Sequence, residues 1–60
     1  MNSYIVIEVN SYGKKAIASA TDYPTWELAC EEQEALEEQH TENCYLVYSV
    51  DEWMYECENG

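Results

Sequence analysis

Sixty residues hold one domain at most, and a chain this short buries only about 60% of the surface its unfolded form exposes, so its stability margin is thin. Thirteen acids stand against Lys14 and Lys15 alone, and a net charge of −11 excludes direct binding to a nucleic-acid backbone or an anionic membrane, both of which demand a basic face. A disordered acidic tail fits poorly, since 47% of the residues are apolar, with six Tyr and two Trp, and they recur periodically.

Tyr4 to Val9 is a β-branched run that predicts a strand, with Ile5, Ile7 and Val9 on one face and Tyr4, Val6 and Glu8 on the other. Asn10-Ser11-Tyr12-Gly13 carries turn chemistry, with Gly13 free to take a positive φ. Lys14 to Ala20 is expected as the returning strand of a hairpin, its alternate residues Ala16, Ala18 and Ala20 small enough to let a helix sit close.

Thr21-Asp22-Tyr23-Pro24 is a helix start signal, with Asp22 or a neighbour as N-cap and Pro24 in the first turn. The helix is expected to reach His40 or Glu42, with Asn43 as its stop, and to lay Trp26, Ala29, Cys30, Gln33, Leu36 and His40 on the sheet. Cys44 to Val50 predicts another strand, apolar enough to be central. After a break at Asp51-Glu52, Trp53, Tyr55 and Cys57 alternate with Glu52, Met54 and Glu56, which reads as a fourth strand or as a continuation of the third past a bulge.

The layout is a single two-layer α+β domain over residues 1–60, one helix packed on a three- to four-stranded antiparallel or mixed sheet, ββαβ or ββαββ. A single helix leaves one sheet face open. That face is expected to carry Tyr4, Val6 and some of Tyr45, Val47, Trp53 and Tyr55, more apolar surface than a small monomer usually exposes.

Catalytic and metal chemistry find little footing. Acid–base catalysis needs two titratable groups set in a pocket, which a domain this size rarely encloses, and there is no nucleophile elbow or glycine-rich phosphate loop. Cys30, Cys44 and Cys57 form no CxxC pair and read as small buried hydrophobes in a reducing compartment. His40 with Cys44 would make half a zinc site, with no further Cys or His motif to complete it, so His40 reads as a histidine at a helix C-terminus. The expectation is a protein without enzymatic activity, cofactor or metal. With neither a secretory leader nor an apolar run of about 18 residues, it is expected in the cytoplasm.

What stands out is the helix. Glu27, Glu31, Glu34 and Glu38, with Glu42 if the helix extends that far, fall within about a quarter of its circumference, opposite the Trp26/Leu36 face. Successive acids lie roughly 5 to 6 Å apart along the axis, a spacing similar to that of phosphates along one nucleic-acid strand. An ordinary solvated helix mixes signs, because Glu four residues before Lys gains a few tenths of a kcal/mol and Glu beside Glu loses about as much. No Lys or Arg follows Lys15.

In size, charge and α+β layout, carried by Glu27, Glu31, Glu34, Glu38 and the strand Tyr45-Leu46-Val47-Tyr48, the chain resembles the small acidic proteins with which phages and mobile elements occupy a host enzyme's nucleic-acid site. That class includes DNA mimics, anti-CRISPR proteins, anti-restriction proteins and inhibitors of uracil-DNA glycosylase. The resemblance implies an inhibitor in the cytoplasm of a bacterial host, bound to the basic surface of a nucleic-acid-binding protein. On this reading Glu27, Glu31, Glu34, Glu38, Glu42, Asp51, Glu52 and Glu56 meet the partner's Lys and Arg, and Tyr45, Trp53 and Tyr55 add aromatic contacts. The alternative is a regulatory or adaptor module that binds a host protein through its aromatic sheet face or a strand edge, the acids serving only solubility. A homodimer is compatible with both.

Overall fold

The computed structural model describes residues 3–59. It is an α+β fold of order β1 (Tyr4–Val9), β2 (Lys15–Ile17), α1 (Trp26–Gln39), β3 (Cys44–Ser49) and α2 (Val50–Asn59), with a three-stranded antiparallel sheet ordered β2-β1-β3. β1, rather than β3, is therefore the central strand. Its partners are fixed by Ile7 opposite Ile17 on one side and Leu46 on the other.

The hairpin follows from Asn10 and Gly13. The Asn10 side chain accepts from the N–H groups of Tyr12 and Lys14 at 2.9 and 3.0 Å, its carbonyl accepts from Gly13 N–H, and Gly13 takes φ +81°. β2 is shorter than the expected Lys14–Ala20 strand. It ends at Ile17, two residues before Ser19, whose buried hydroxyl, not a backbone carbonyl, accepts from Val6 N–H at 3.2 Å. Tyr23 then closes the same edge of β1, exchanging both backbone hydrogen bonds with Tyr4 at 2.8 Å.

That bridge delays α1. Tyr23 is held extended and precedes Pro24, which disfavours helical geometry at that position, so the cap is Thr25 and not Asp22. The Thr25 hydroxyl accepts from Leu28 N–H at 3.3 Å. At the other end His40 is the C-cap, its N–H bonded to Leu36, and Glu42 lies past the helix in the following turn.

Alternation along paired strands assigns the two faces of the sheet. Val6 and Tyr45 are buried with Ala29 of α1, and Tyr4, Ala18, Tyr23, Leu36 and Val47 pack around them. Tyr4, Val6, Tyr45 and Val47 thus lie beneath α1, contrary to their expected place on the open face. Ala18 and Ala29 supply the small side chains that permit a close approach. Trp26, the first helical residue, is 57% exposed, and His40 is exposed as well; neither belongs to the buried face.

Ile5, Ile7, Ile17, Leu46 and Tyr48 occupy the other face. Here the structure differs most from expectation, because residues 50–59 form a helix instead of a fourth strand. Ser49 starts it: Glu52 N–H donates to the Ser49 hydroxyl at 3.1 Å, and that hydroxyl donates to the Glu52 carboxylate at 3.0 Å, a closed Ser-x-x-Glu cap. α2 then sets Trp53 edge-on against Tyr48, with ring centroids 5.9 Å apart and an interplanar angle of 88°. Its Glu56 carboxylate accepts from Lys15 Nζ at 3.1 Å and from the Tyr48 hydroxyl at 3.3 Å.

Candidate functional site

α1 turns about 100° per residue, so Glu27, Glu31, Glu34 and Glu38 fall within about 60° of one another, with Ala29 and Leu36 on the opposite side. Since Ala29 and Leu36 pack on the sheet, the four glutamates form a row pointing directly away from it, and all four are exposed. The row is about 16 Å long at 1.5 Å per residue.

Nothing neutralises it. Among the described residues the ion pairs are Lys15–Glu56 at 3.1 Å and His40–Glu42 at 3.8 Å, the latter charged only when His40 is protonated. Neither touches the row. Glu37 and Glu38 also stand in the last turn of α1, which holds no basic residue, where the helix dipole already presents negative charge. A shallow depression lined by Glu34, Glu37, Glu38 and Thr41 lies at this end.

The other expected acids are placed differently. α2 attaches through Tyr48 and Lys15 to the face opposite α1, so Asp51, Glu52 and Glu56 do not extend the row. Glu52 is engaged with Ser49 and Glu56 with Lys15 and Tyr48. Glu42 sits beyond the helix beside His40. Glu8 accepts from Asn43 Nδ2 at 2.6 Å and from the Tyr45 hydroxyl at 3.4 Å, which makes it part of the packing.

Of the expected aromatic contacts, Tyr45 is only 3% exposed and belongs to the core, so its ring is withdrawn from any partner. Trp53 is half-buried against Tyr48, and Tyr55 stands 69% exposed on α2, away from the glutamate row. An exposed aromatic, Trp26, directly precedes Glu27 in the chain. The hint lay in Thr25: a cap there makes Trp26 the first helical residue, with no preceding turn to cover it.

Lys15, one of the two basic side chains, is held on the other face. Its Nζ lies 2.9 Å from the Tyr48 hydroxyl and 5.4 Å from the ring centroid, so it meets the hydroxyl edge of the ring and not its π face. The hydrogen bond to Tyr48, and next the one to Glu56, raise the Lys15 pKa above its ordinary 10.5. Burial raises the Tyr45 and Tyr23 phenols above 10.0, with Glu8 and Glu32 respectively adding to the effect. Each group binds its proton more tightly when folded, so each contributes stability below its ordinary pKa and loses it as pH rises through the folded value. Stability followed by far-UV circular dichroism melts should therefore hold steady from neutral pH to about 10 and decline above it. Unfolding between pH 8 and 9 would contradict these assignments.

Cys30 is partly buried, whereas Cys44 and Cys57 are exposed rather than buried as expected, and all three are free thiols. Among the described residues no three His, Cys, Asp or Glu side chains converge as a metal site requires, and no helix is long and apolar enough to cross a membrane. Comparison with family models, with curated proteins and with solved structures finds no match to this chain.

Proposed function

We propose that the chain is a protein-binding inhibitor that occupies the basic nucleic-acid site of another protein, with Glu27, Glu31, Glu34 and Glu38 standing in for backbone phosphates. The observation that carries this reading is the unneutralised row of four exposed carboxylates on α1, turned away from the sheet. Like charges three and four residues apart each cost a few tenths of a kcal/mol, and acids in the last turn of a helix add to that cost. A 60-residue domain has little stability to spare, and a use for the charge explains why no Lys relieves it.

The mechanism is competitive occlusion. The negative field of the chain steers it toward a basic cleft and makes association fast and salt-sensitive, and the exposed ring of Trp26 beside the row adds apolar contact that slows dissociation. The target is a cytoplasmic defence or repair protein of a bacterial host, and the chain an anti-CRISPR or related DNA mimic encoded by a phage. Displacement of the bound partner by duplex nucleic acid tests the proposal.

A further inference from the structure

The outer edge of β3 is open, and its chemistry specifies what can pair with it. Tyr4 directs both its N–H and its C=O to Tyr23, on the β2 side of β1. Alternation then turns Ile5, Ile7 and Val9 toward β3, and their partners Tyr48, Leu46 and Cys44 toward β1. Tyr45 and Val47 therefore present their backbone groups to the free edge. Two contacts agree with this parity: Val50 N–H bonds inward to Ser3, and the Tyr45 carbonyl is met from outside by Gln33 Nε2 at 2.6 Å. Tyr45 N–H and both backbone groups of Val47 have no strand beside them among the described residues.

Exposed edges are ordinarily guarded by charge, Pro or a bulge. Cys44–Ser49 has none of these, in a chain with thirteen acids elsewhere. The surroundings of the edge are asymmetric. On the α1 side, the flank marked by Gln33 carries Glu37 and rises to Glu34, both exposed. On the other side Leu46 is 41% exposed.

We infer that the β3 edge receives an extended segment of the partner as a fourth, antiparallel strand, with Lys or Arg alternating with β-branched apolar residues. Residues opposite Tyr45 and Val47 share their face, so the basic side chains rise along α1 to Glu34 and Glu37 while the apolar ones cover Leu46. A second copy of this chain is the poorer occupant, because two bodies of charge −11 repel and bring Glu37 against Glu37. The basic character of the strand rests on the acidic docking reading above; the open edge does not.

The test titrates the chain with an eight-residue peptide alternating Lys and Val, read by Trp26 fluorescence in a Trp53→Phe background. Antiparallel pairing sends the Lys amides to β3. Backbone N-methylation at the Lys positions should weaken binding about fivefold or more, since the hydrogen bond to the Val47 carbonyl, worth about 1 kcal/mol, is lost and the methyl group meets the strand edge, whereas methylation at the Val positions should leave it unchanged. Equal effects of the two methylations, absence of binding, or a dimer of the free chain in sedimentation equilibrium would overturn the inference. Glu34→Gln/Glu37→Gln should also weaken binding and flatten its salt dependence. Binding that keeps the methylation pattern but is insensitive to salt and to these substitutions would uphold the edge and remove the acidic reading.

Discussion

Reversing Glu31, Glu34 and Glu38 to Lys is expected to weaken partner binding at least about a hundredfold without destabilising the free chain. Charge-assisted contacts are each worth about 1.5–3 kcal/mol, and 1.4 kcal/mol is tenfold in affinity, so losing two or three suffices before repulsion is added. The free chain responds in the opposite sense. Each reversal replaces a negative charge with a positive one, a change of +2, so the three bring the net charge from −11 to −5. Glu31→Lys places a positive charge four residues after Glu27, and Glu38→Lys places another at the C-terminal end of the helix dipole. Together these leave stability unchanged or raise it by up to about 1 kcal/mol. Thermal melts and titration of the retained partner read the two effects separately. A variant that melts as expected and binds as before would show the row to be merely solvated surface.

The second large effect belongs to the face away from α1. Ile7 is 0% exposed there, flanked by Ile17 and Leu46 in register, and the Lys15–Tyr48 hydrogen bond runs diagonally across it. Ile7→Ala should cost about 2–5 kcal/mol in lost transfer energy and cavity. Domains of this size hold only about 3–5 kcal/mol in all, so the variant should be largely unfolded at 25 °C. Circular dichroism at 222 nm and amide exchange check this. A cooperative melt lowered by only a few degrees would mean that α2 and its Lys15–Tyr48–Glu56 contacts do not seal this face.

The elements that local chemistry dictates were legible in the sequence. Tyr4–Val9 and Cys44–Ser49 are β-branched and aromatic runs, Asn10 and Gly13 specify the hairpin, and Glu27, Glu31, Glu34 and Glu38 share a helix face by spacing alone. α2 was hidden by ambiguity of period. Trp53, Tyr55 and Cys57 satisfy a strand's alternation, while Val50, Trp53 and Cys57 satisfy a helix's three-and-four spacing equally well. The arbiter was Ser49-Val50-Asp51-Glu52, a capping signal that also starts the helix directly from the strand.

The assignment of faces was beyond a period count. Both sides of β1 are apolar, and only the fit of Ala29 and Leu36 over Val6 and Tyr45 decides which one α1 covers. That choice moves Tyr45 from the surface to the core, Trp26 from the core to the surface, and the acids of α2 to the far side of the sheet from the glutamate row. The expected acidic surface is therefore divided, and Glu27, Glu31, Glu34 and Glu38 alone of it form the outward row of α1.

The glutamate row is proposed to compete with nucleic acid for a basic site. Its most direct test immobilises the chain and its Glu31→Lys/Glu34→Lys/Glu38→Lys variant, loads both with bacterial lysate at low salt, and challenges the bound fraction with duplex DNA and RNA. The expected result is a nucleic-acid-binding protein that is held by the native chain, released by nucleic acid and by added salt, and not retained by the variant. A partner that stays on both chains and is indifferent to nucleic acid would contradict it.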